Sequence, residues 1–244
     1  MADHGRGGAL MDTLALAFSE ALRLIASADA ELAQIVMLSL RVSLTAVALA
    51  ALIGLPLGAA VAVAKFPGRK AVTVILNALM GMPPVIVGLL VYLLLSRAGP
   101  LGTLGLLFTP TAMVIAQTVL VAPIIAALAR QAVEDAWREY AEQLKSLGAG
   151  PVQSAFTLLW DSRFSLLTAI LAGFGRAAAE VGAVMIVGGN IEGVTRVMTT
   201  AIALETSKGN LPLALGLGII LIAIVLTLNA AAYLLKEVAQ RRYG

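Results

Sequence analysis

Two charges stand where charge is least tolerated. Within the apolar run of residues 164–189, Arg176 and Glu180 lie four apart, led in by Gly173-Phe174-Gly175. On a helix that spacing puts both on one face. Each costs roughly 2.5–3.5 kcal/mol to insert at a bilayer centre, so they either pair or face a hydrated cavity. As a pair they lock helices together. In a cavity Arg176 attracts an anion, and Glu180 orients Arg176 or helps hold a gate closed. Little else in the chain suits covalent chemistry. There is no cysteine, hence no thiol nucleophile, zinc site or disulfide. The single histidine is His4, near the amino terminus. No catalytic residue, metal site or cofactor is expected, and an intramembrane enzyme is the weakest reading.

The surroundings of that pair suit lipid. Of 244 residues, 60% are hydrophobic and 13% charged, where a soluble domain carries about 25% charged residues. Residues 42–64, 71–95, 105–129 and 211–235 are uncharged runs, each long enough for a hydrocarbon core of about 30 Å. With residues 164–189 they make five expected spans. Ahead of them, Leu10, Leu14, Phe18, Leu22 and Ile25 form a stripe, with Asp12, Glu20 and Arg23 elsewhere. That pattern predicts an interfacial helix, with a sixth span as the alternative.

Lysine and arginine set the orientation. Segments 65–70 and 130–163 and the tail from Lys236 hold ten of them, against five on the opposite side: Arg6, Arg23, Arg97, Arg196 and Lys208. The amino terminus is expected outside the inner (plasma) membrane and the carboxyl terminus in the cytoplasm.

Breaks in the spans mark a possible pathway. Met82-Pro83-Pro84 interrupts the second. Two prolines remove two backbone donors, so the helix bends or breaks. In lipid such a break is tolerated only inside protein or beside a cavity. Pro110 and Pro123 bracket the third span. Irregular helix packing is the plain alternative to a pathway wall. On the outer side, Gly188-Gly189-Asn190-Ile191-Glu192-Gly193-Val194-Thr195-Arg196 is either a turn or an anion-binding concavity. Glu205 and Lys208 follow, and Asn210 can cap the last span with Pro212 in its first turn.

One cytoplasmic interruption organises the rest. Val133, Trp137, Tyr140, Leu144 and Leu147 recur at spacings of 4, 3, 4 and 3, a single helical stripe. Glu134, Asp135, Arg138, Glu139, Glu142 and Lys145 occupy the remaining circumference. Gly148 supplies a left-handed stop, and Pro151 prevents resumption. A short amphipathic helix is predicted, lying on lipid or docking into a partner's groove.

The spacing Glu142, Gly148, Leu158, Trp160 resembles the EAA loop of permease subunits of ATP-binding cassette (ABC) importers. That pattern runs Glu-Ala-Ala, three residues, Gly, nine residues, Ile-x-Leu-Pro. Here Gln143-Leu144 stand for Ala-Ala and Asp161 for Pro. Gly175-Arg176, Glu180-Val181-Gly182-Ala183, Gly188-Gly189-Asn190-Ile191 and residues 198–209 are similar to oxyanion permeases, above all those for tungstate. So are Ser39-Leu40-Arg41-Val42-Ser43-Leu44, Gly54-Leu55-Pro56-Leu57-Gly58 and the Met82 region.

The resemblance implies an all-α, five-span importer bundle of the type I, molybdate- and methionine-permease-like kind. Residues 35–235 would form it, with a coupling loop at 130–165, after an N-terminal segment 1–34 and before a tail 236–244. Trp137, Tyr140, Glu142, Leu144, Gly148 and Ala149 would meet a separate ATPase dimer. Met82, Pro83, Pro84, Arg176 and Glu180 would line or gate the path. Asn190, Glu192, Arg196, Glu205 and Lys208 would face an extracytoplasmic binding protein, the expected seat of selectivity. The chain lacks Gly-x-x-x-x-Gly-Lys-Ser/Thr, so ATP hydrolysis is expected on another chain, and a homodimer is the economical assembly. A molybdate, sulfate or phosphate permease is the neighbouring reading. A secondary transporter is the more distant one, and no second Met-Pro-Pro copy in a corresponding position favours it.

Overall fold

The computed structural model describes residues 4–27 and 29–243. The side chains of residues 1–14, 28, 235–236 and 239–244 lie outside the described ones. Those of His4, Leu10, Leu14 and the basic residues of the tail are therefore not placed.

Every regular element among the described residues is helical. The first, α1 (His4–Ala26), precedes the long α2 (Ala30–Val63). A pair follows, α3 (Arg69–Met80) and α4 (Pro84–Leu95), then α5 (Pro110–Ser146). The hairpin partner α6 (Pro151–Asp161) leads to α7 (Arg163–Ala178), α8 (Gly182–Gly188), α9 (Met198–Lys208) and α10 (Leu211–Tyr243). Among the described residues, three helices are long and apolar enough to cross a membrane, or up to five if each bent pair is one span. The bent pairs are α3 with α4, at 100°, and α6 with α7, at 77°.

The frame is α2 against α5. Asp29 caps α2 by accepting from Leu32 N at 3.0 Å. Thr109 caps α5, whose first residue is Pro110. Thr118 Oγ1 reaches Ala46 O, Gly58 meets Ala126, and Val63 packs with Val133. The two helices therefore run in the same direction. A Cβ on Gly54 would lie 2.9 Å from Ala122 O, and one on Gly58 2.4 Å from Ala126 O. The Gly-x-x-x-Gly spacing thus lets two backbones touch. Leu213 and Leu217 pack near Leu32, while Ile224, Val225 and Leu228 pack near Val47 and Ala50, so α10 runs the same way. In contrast, α7 runs against α5, with Gly173 on Ile125 and Ala177 beside Gln117. One end of the bundle gathers Lys65, Arg69, Lys70, Arg130 and Arg138, and is here the basic end; Glu192, Arg196 and Lys208 lie at the other.

In α1, Phe18 and Leu22 of the apolar stripe are exposed, Ile25 packs beside Leu32 and Leu217, and Ala17 and Ala21 bury against α10. In a bilayer small residues pack between helices and large apolar ones can face lipid. Three local expectations change. Residues 133–146 are not a separate short helix. They continue α5 without a break, making a rod of about 55 Å at 1.5 Å per residue. The expected single span of residues 164–189 divides at 179–181 into α7 and α8. Finally, the Asn210 side-chain amide donates to Glu205 Oε2 at 3.0 Å.

Candidate functional site

The membrane ion pair is formed. Arg176 Nη1 donates to Glu180 Oε2 at 2.9 Å, with side-chain exposures of 32% for arginine and 2% for glutamate. The other carboxylate oxygen accepts from Ala183 N at 3.0 Å, so Glu180 caps α8. Its backbone carbonyl accepts from Thr199 Oγ1 at 2.7 Å. One residue therefore joins α7, α8 and α9, while Arg176 stays partly open.

The proline break sits beside this junction. Pro83 lies ahead of α4 and Pro84 opens it, as two missing donors require. A Cβ on Gly182 would be 2.9 Å from Val85 Cγ2, and one on Gly88 2.7 Å from Ala183 Cα. Glycine thus seats α8 directly on α4. The fold brings Met82, Pro83 and Pro84 toward the Glu180 junction, although the two stretches are almost a hundred residues apart.

A buried polar seam nearby was not anticipated as a site. Ser39 Oγ accepts from Met198 N at 2.7 Å and donates to Ile35 O at 2.7 Å. Gln117 Nε2 donates to Ala177 O at 3.1 Å, and its buried Oε1 has no protein partner. Ser39, Ser43, Gln117 and Thr199 line a narrow cavity of about 10 Å³, the size of one water molecule. The available signal was a polar residue inside an apolar run, but its partners lie far off in sequence.

The loops at the far end sort into holders and presenters. Arg196 is buried and bridges Glu31 and Glu192, each at 3.4 Å. Thr195 is fully buried, accepting from Ile191 N at 2.9 Å and donating to Gly188 O at 2.6 Å. Asn190 adopts a left-handed φ of 51° and donates to Thr200 O. Glu205 is buried, taking Lys208 Nζ at 2.8 Å and the Asn210 amide. The Lys208 hydrogen bond, against the opposing effect of burial, holds the Glu205 carboxyl below the usual carboxylate range. Of these five residues, Glu192 and Lys208 are exposed, and Asn190 is half-buried.

The turn at the basic end closes as its chemistry dictates. Gly148 has a φ of +73°, and Ala149 N returns to Leu144 O at 2.9 Å. Val133, Trp137, Tyr140 and Leu144 pack on Ala59, Ala62, Val63 and Leu158. That stripe holds the α5–α6 hairpin to α2. The apolar side chains left open are others: Leu147 at 81% exposure, Val152 at 72%, Phe156 at 66% and Trp160 at 74%. Glu142 and Gly148 lie exposed along the same turn. Two apolar stripes meet in this hairpin, and their spacing alone does not say which turns inward.

Residues 54–244 match the family described as "Binding-protein-dependent transport system inner membrane component". The chain is similar to the tungstate uptake system permease protein TupB of Peptoclostridium acidaminophilum, at 42% identity over 93% of this chain and 100% of that protein. It is 42% identical to a probable anion ABC transporter permease protein of Haloferax volcanii, over 87% of this chain and 94% of that one. The TupB of Campylobacter jejuni is 38% identical, over 71% of this chain and 72% of its own length. The chain belongs to the family of binding-protein-dependent transport system inner membrane components, the permeases of ABC transporters.

Proposed function

We propose that the chain is the membrane permease of an ATP-driven importer whose cargo is tungstate. The observation that carries this reading is the 42% identity to a tungstate permease across that relative's full length. The similarity to an anion permease supports the same class of cargo. On this reading the basic end faces the cytoplasm, as the lysine and arginine asymmetry favours. The chain crosses the membrane five times if each bent pair makes one crossing. Two copies surround a path on a two-fold axis.

The ATPase dimer binds the α5–α6 turn. Glu142, Gly148, Ala149 and the open Leu147, Phe156 and Trp160 make the contact. Trp137, Tyr140 and Leu144 transmit its motion, because they fasten the hairpin to α2. ATP binding favours one packed arrangement and hydrolysis releases it, which is a population shift between two states. Since α5 is one continuous helix from the turn to Pro110, movement at the basic end is carried along the bundle. The junction of Pro84, Glu180 and Arg176 is the gate region, with Arg176 available to a passing anion. Glu192 and Lys208 meet the loaded binding protein, while Arg196 and Glu205 hold their loops in shape. Discrimination among tetrahedral dianions belongs to that binding protein.

ATP dependence tests the mechanism. The chain, co-purified with its ATPase and placed in proteoliposomes with binding protein, should accumulate tungstate only with enclosed ATP and magnesium. Accumulation driven by an ion gradient alone would replace this reading with a secondary transporter.

A further inference from the structure

An open cavity of about 760 Å³ at the basic end is lined by Lys65, Arg69, Lys70, Val74, Arg130 and Glu134, among others. Four cations face one carboxylate. That carboxylate is already engaged: Glu134 pairs with Arg130, with Arg69 at 3.6 Å and with Arg138 at 3.6 Å. Arg69 is fixed in place, donating from Nε to Val61 O at 2.8 Å and from Nη2 to Ala62 O at 2.7 Å. It thereby satisfies the carbonyls at the end of α2. Arg130 keeps a buried Nε with no acceptor. Lys65 and Lys70 are exposed and have no carboxylate partner among the described residues. The cavity therefore carries a surplus of positive charge on a rigid floor.

Its position selects the ligand. The apolar run of α2 ends at Ala64, and Lys65 follows immediately, which is the boundary where a run of that length leaves the hydrocarbon core for the phosphate groups. Just past these cations along α3, Val74 is 66% exposed and Ile75 57% exposed. A free inorganic ion has no use for that apolar wall, whereas an acyl chain does. The first turn of α3 carries no acidic side chain to repel a phosphate.

We propose that this cavity binds a tetrahedral oxyanion, namely the phosphate of an anionic phospholipid in the leaflet at the basic end. Lys65 and Lys70 close on the headgroup, Arg69 and Arg130 form the fixed floor, and an acyl chain lies along Val74 and Ile75. The site uses only the membrane placement of this end. It does not depend on which ion is transported.

The test uses the full permease–ATPase complex in phosphatidylcholine nanodiscs containing phosphatidylglycerol as the minor lipid. Native mass spectrometry counts retained phosphatidylglycerol per protomer. Wild type should retain it above its bulk share. Lys65→Gln/Lys70→Gln should retain it roughly 25-fold more weakly, at about five-fold per lysine near an anionic surface. Arg97→Gln, at the opposite end, should retain it as wild type does. Equal loss in Arg97→Gln, or no enrichment in wild type, overturns the proposal. Radiolabelled tungstate in phosphatidylcholine-only nanodiscs separates the sources. No lysine-dependent tungstate binding supports the lipid assignment. Lysine-dependent tungstate binding that persists undiminished in the phosphatidylglycerol-containing nanodiscs overturns it in favour of the transported ion, and binding that phosphatidylglycerol suppresses supports it. Because the readout is binding, a failure to transport tungstate leaves this result intact.

Discussion

Glu180 accepts from Arg176 at 2.9 Å while only 2% of its own side chain meets solvent, against 32% for the arginine. The pair is therefore asymmetric, and so are the consequences of breaking it. Arg176→Ala strands a buried carboxylate, a change that costs about 3–5 kcal/mol in comparable sites. Glu180→Gln strands a half-open guanidinium and removes the negative charge, so its cost is smaller. Thermal unfolding in detergent should rank Arg176→Ala below Glu180→Gln. The reverse order would mean that the arginine, not the glutamate, is the desolvated partner.

Gly58 makes a second prediction, on packing. Its missing Cβ leaves room for Ala126 O, at 2.4 Å from where that carbon would stand. Gly58→Ala must push α2 and α5 apart, against backbone that cannot repack, so the cost should reach or exceed the usual overpacking range of about 1–3 kcal/mol. Gly218→Ala is the control, since nothing lies within 4 Å of its Cβ position. The control should be neutral or stabilising by up to about 1 kcal/mol from helix propensity. Melting temperatures of the two variants compare them directly.

The α5–α6 hairpin separates docking from folding. Phe156→Asp and Trp160→Asp alter exposed side chains. They should leave the melting temperature unchanged while the ATPase no longer co-purifies. Leu144→Asp places a charge in the packed stripe on α2 and should destabilise the protein itself. Gly148→Val forces a β-branched residue to a φ of +73°, at about 1–3 kcal/mol of local strain. Uptake should fall more than stability does. Full transport by Gly148→Val would remove the coupling role from this turn.

Acid sensitivity follows from Glu205. Its folded carboxyl titrates below the usual carboxylate range, chiefly because Lys208 donates to it. A depressed folded value contributes stability that is present above the unfolded carboxylate pKa and is lost as pH falls through the folded one. Glu205→Gln should therefore melt lower than wild type near neutral pH. The gap should close as pH drops below the ordinary carboxylate range. A gap that is constant across pH would assign the residue a packing role alone.

Much of this was legible where local chemistry decides structure. Gly148 and Pro151 stop and restart a helix by their own backbone limits, and Pro83-Pro84 break one by their missing donors. The apolar runs and the Arg176–Glu180 spacing were equally readable. What escaped depends on distant partners. Ala177-Ala178-Ala179 favour helix, yet the chain breaks there because Glu180 caps α8 and α8 must seat on Gly88. Helix α5 continues past Arg130 although charge density rises there, because Val133, Trp137, Tyr140 and Leu144 keep the helical period and pack on α2. Ser39 meets Met198 across 159 residues, a contact that no local pattern encodes. In the candidate site, types and neighbourhoods were visible, whereas burial was not. Whether Arg196, Glu205, Trp137 and Tyr140 turn inward or outward depends on the whole bundle.

The most direct measurement is tungsten accumulation by cells at limiting tungstate, with and without this chain, in competition with molybdate and with sulfate. The account predicts that accumulation requires the chain and that neither competitor at modest excess suppresses it. Unchanged tungsten accumulation in cells lacking the chain, with loss of molybdate or sulfate uptake instead, would contradict the assignment of tungstate as the cargo.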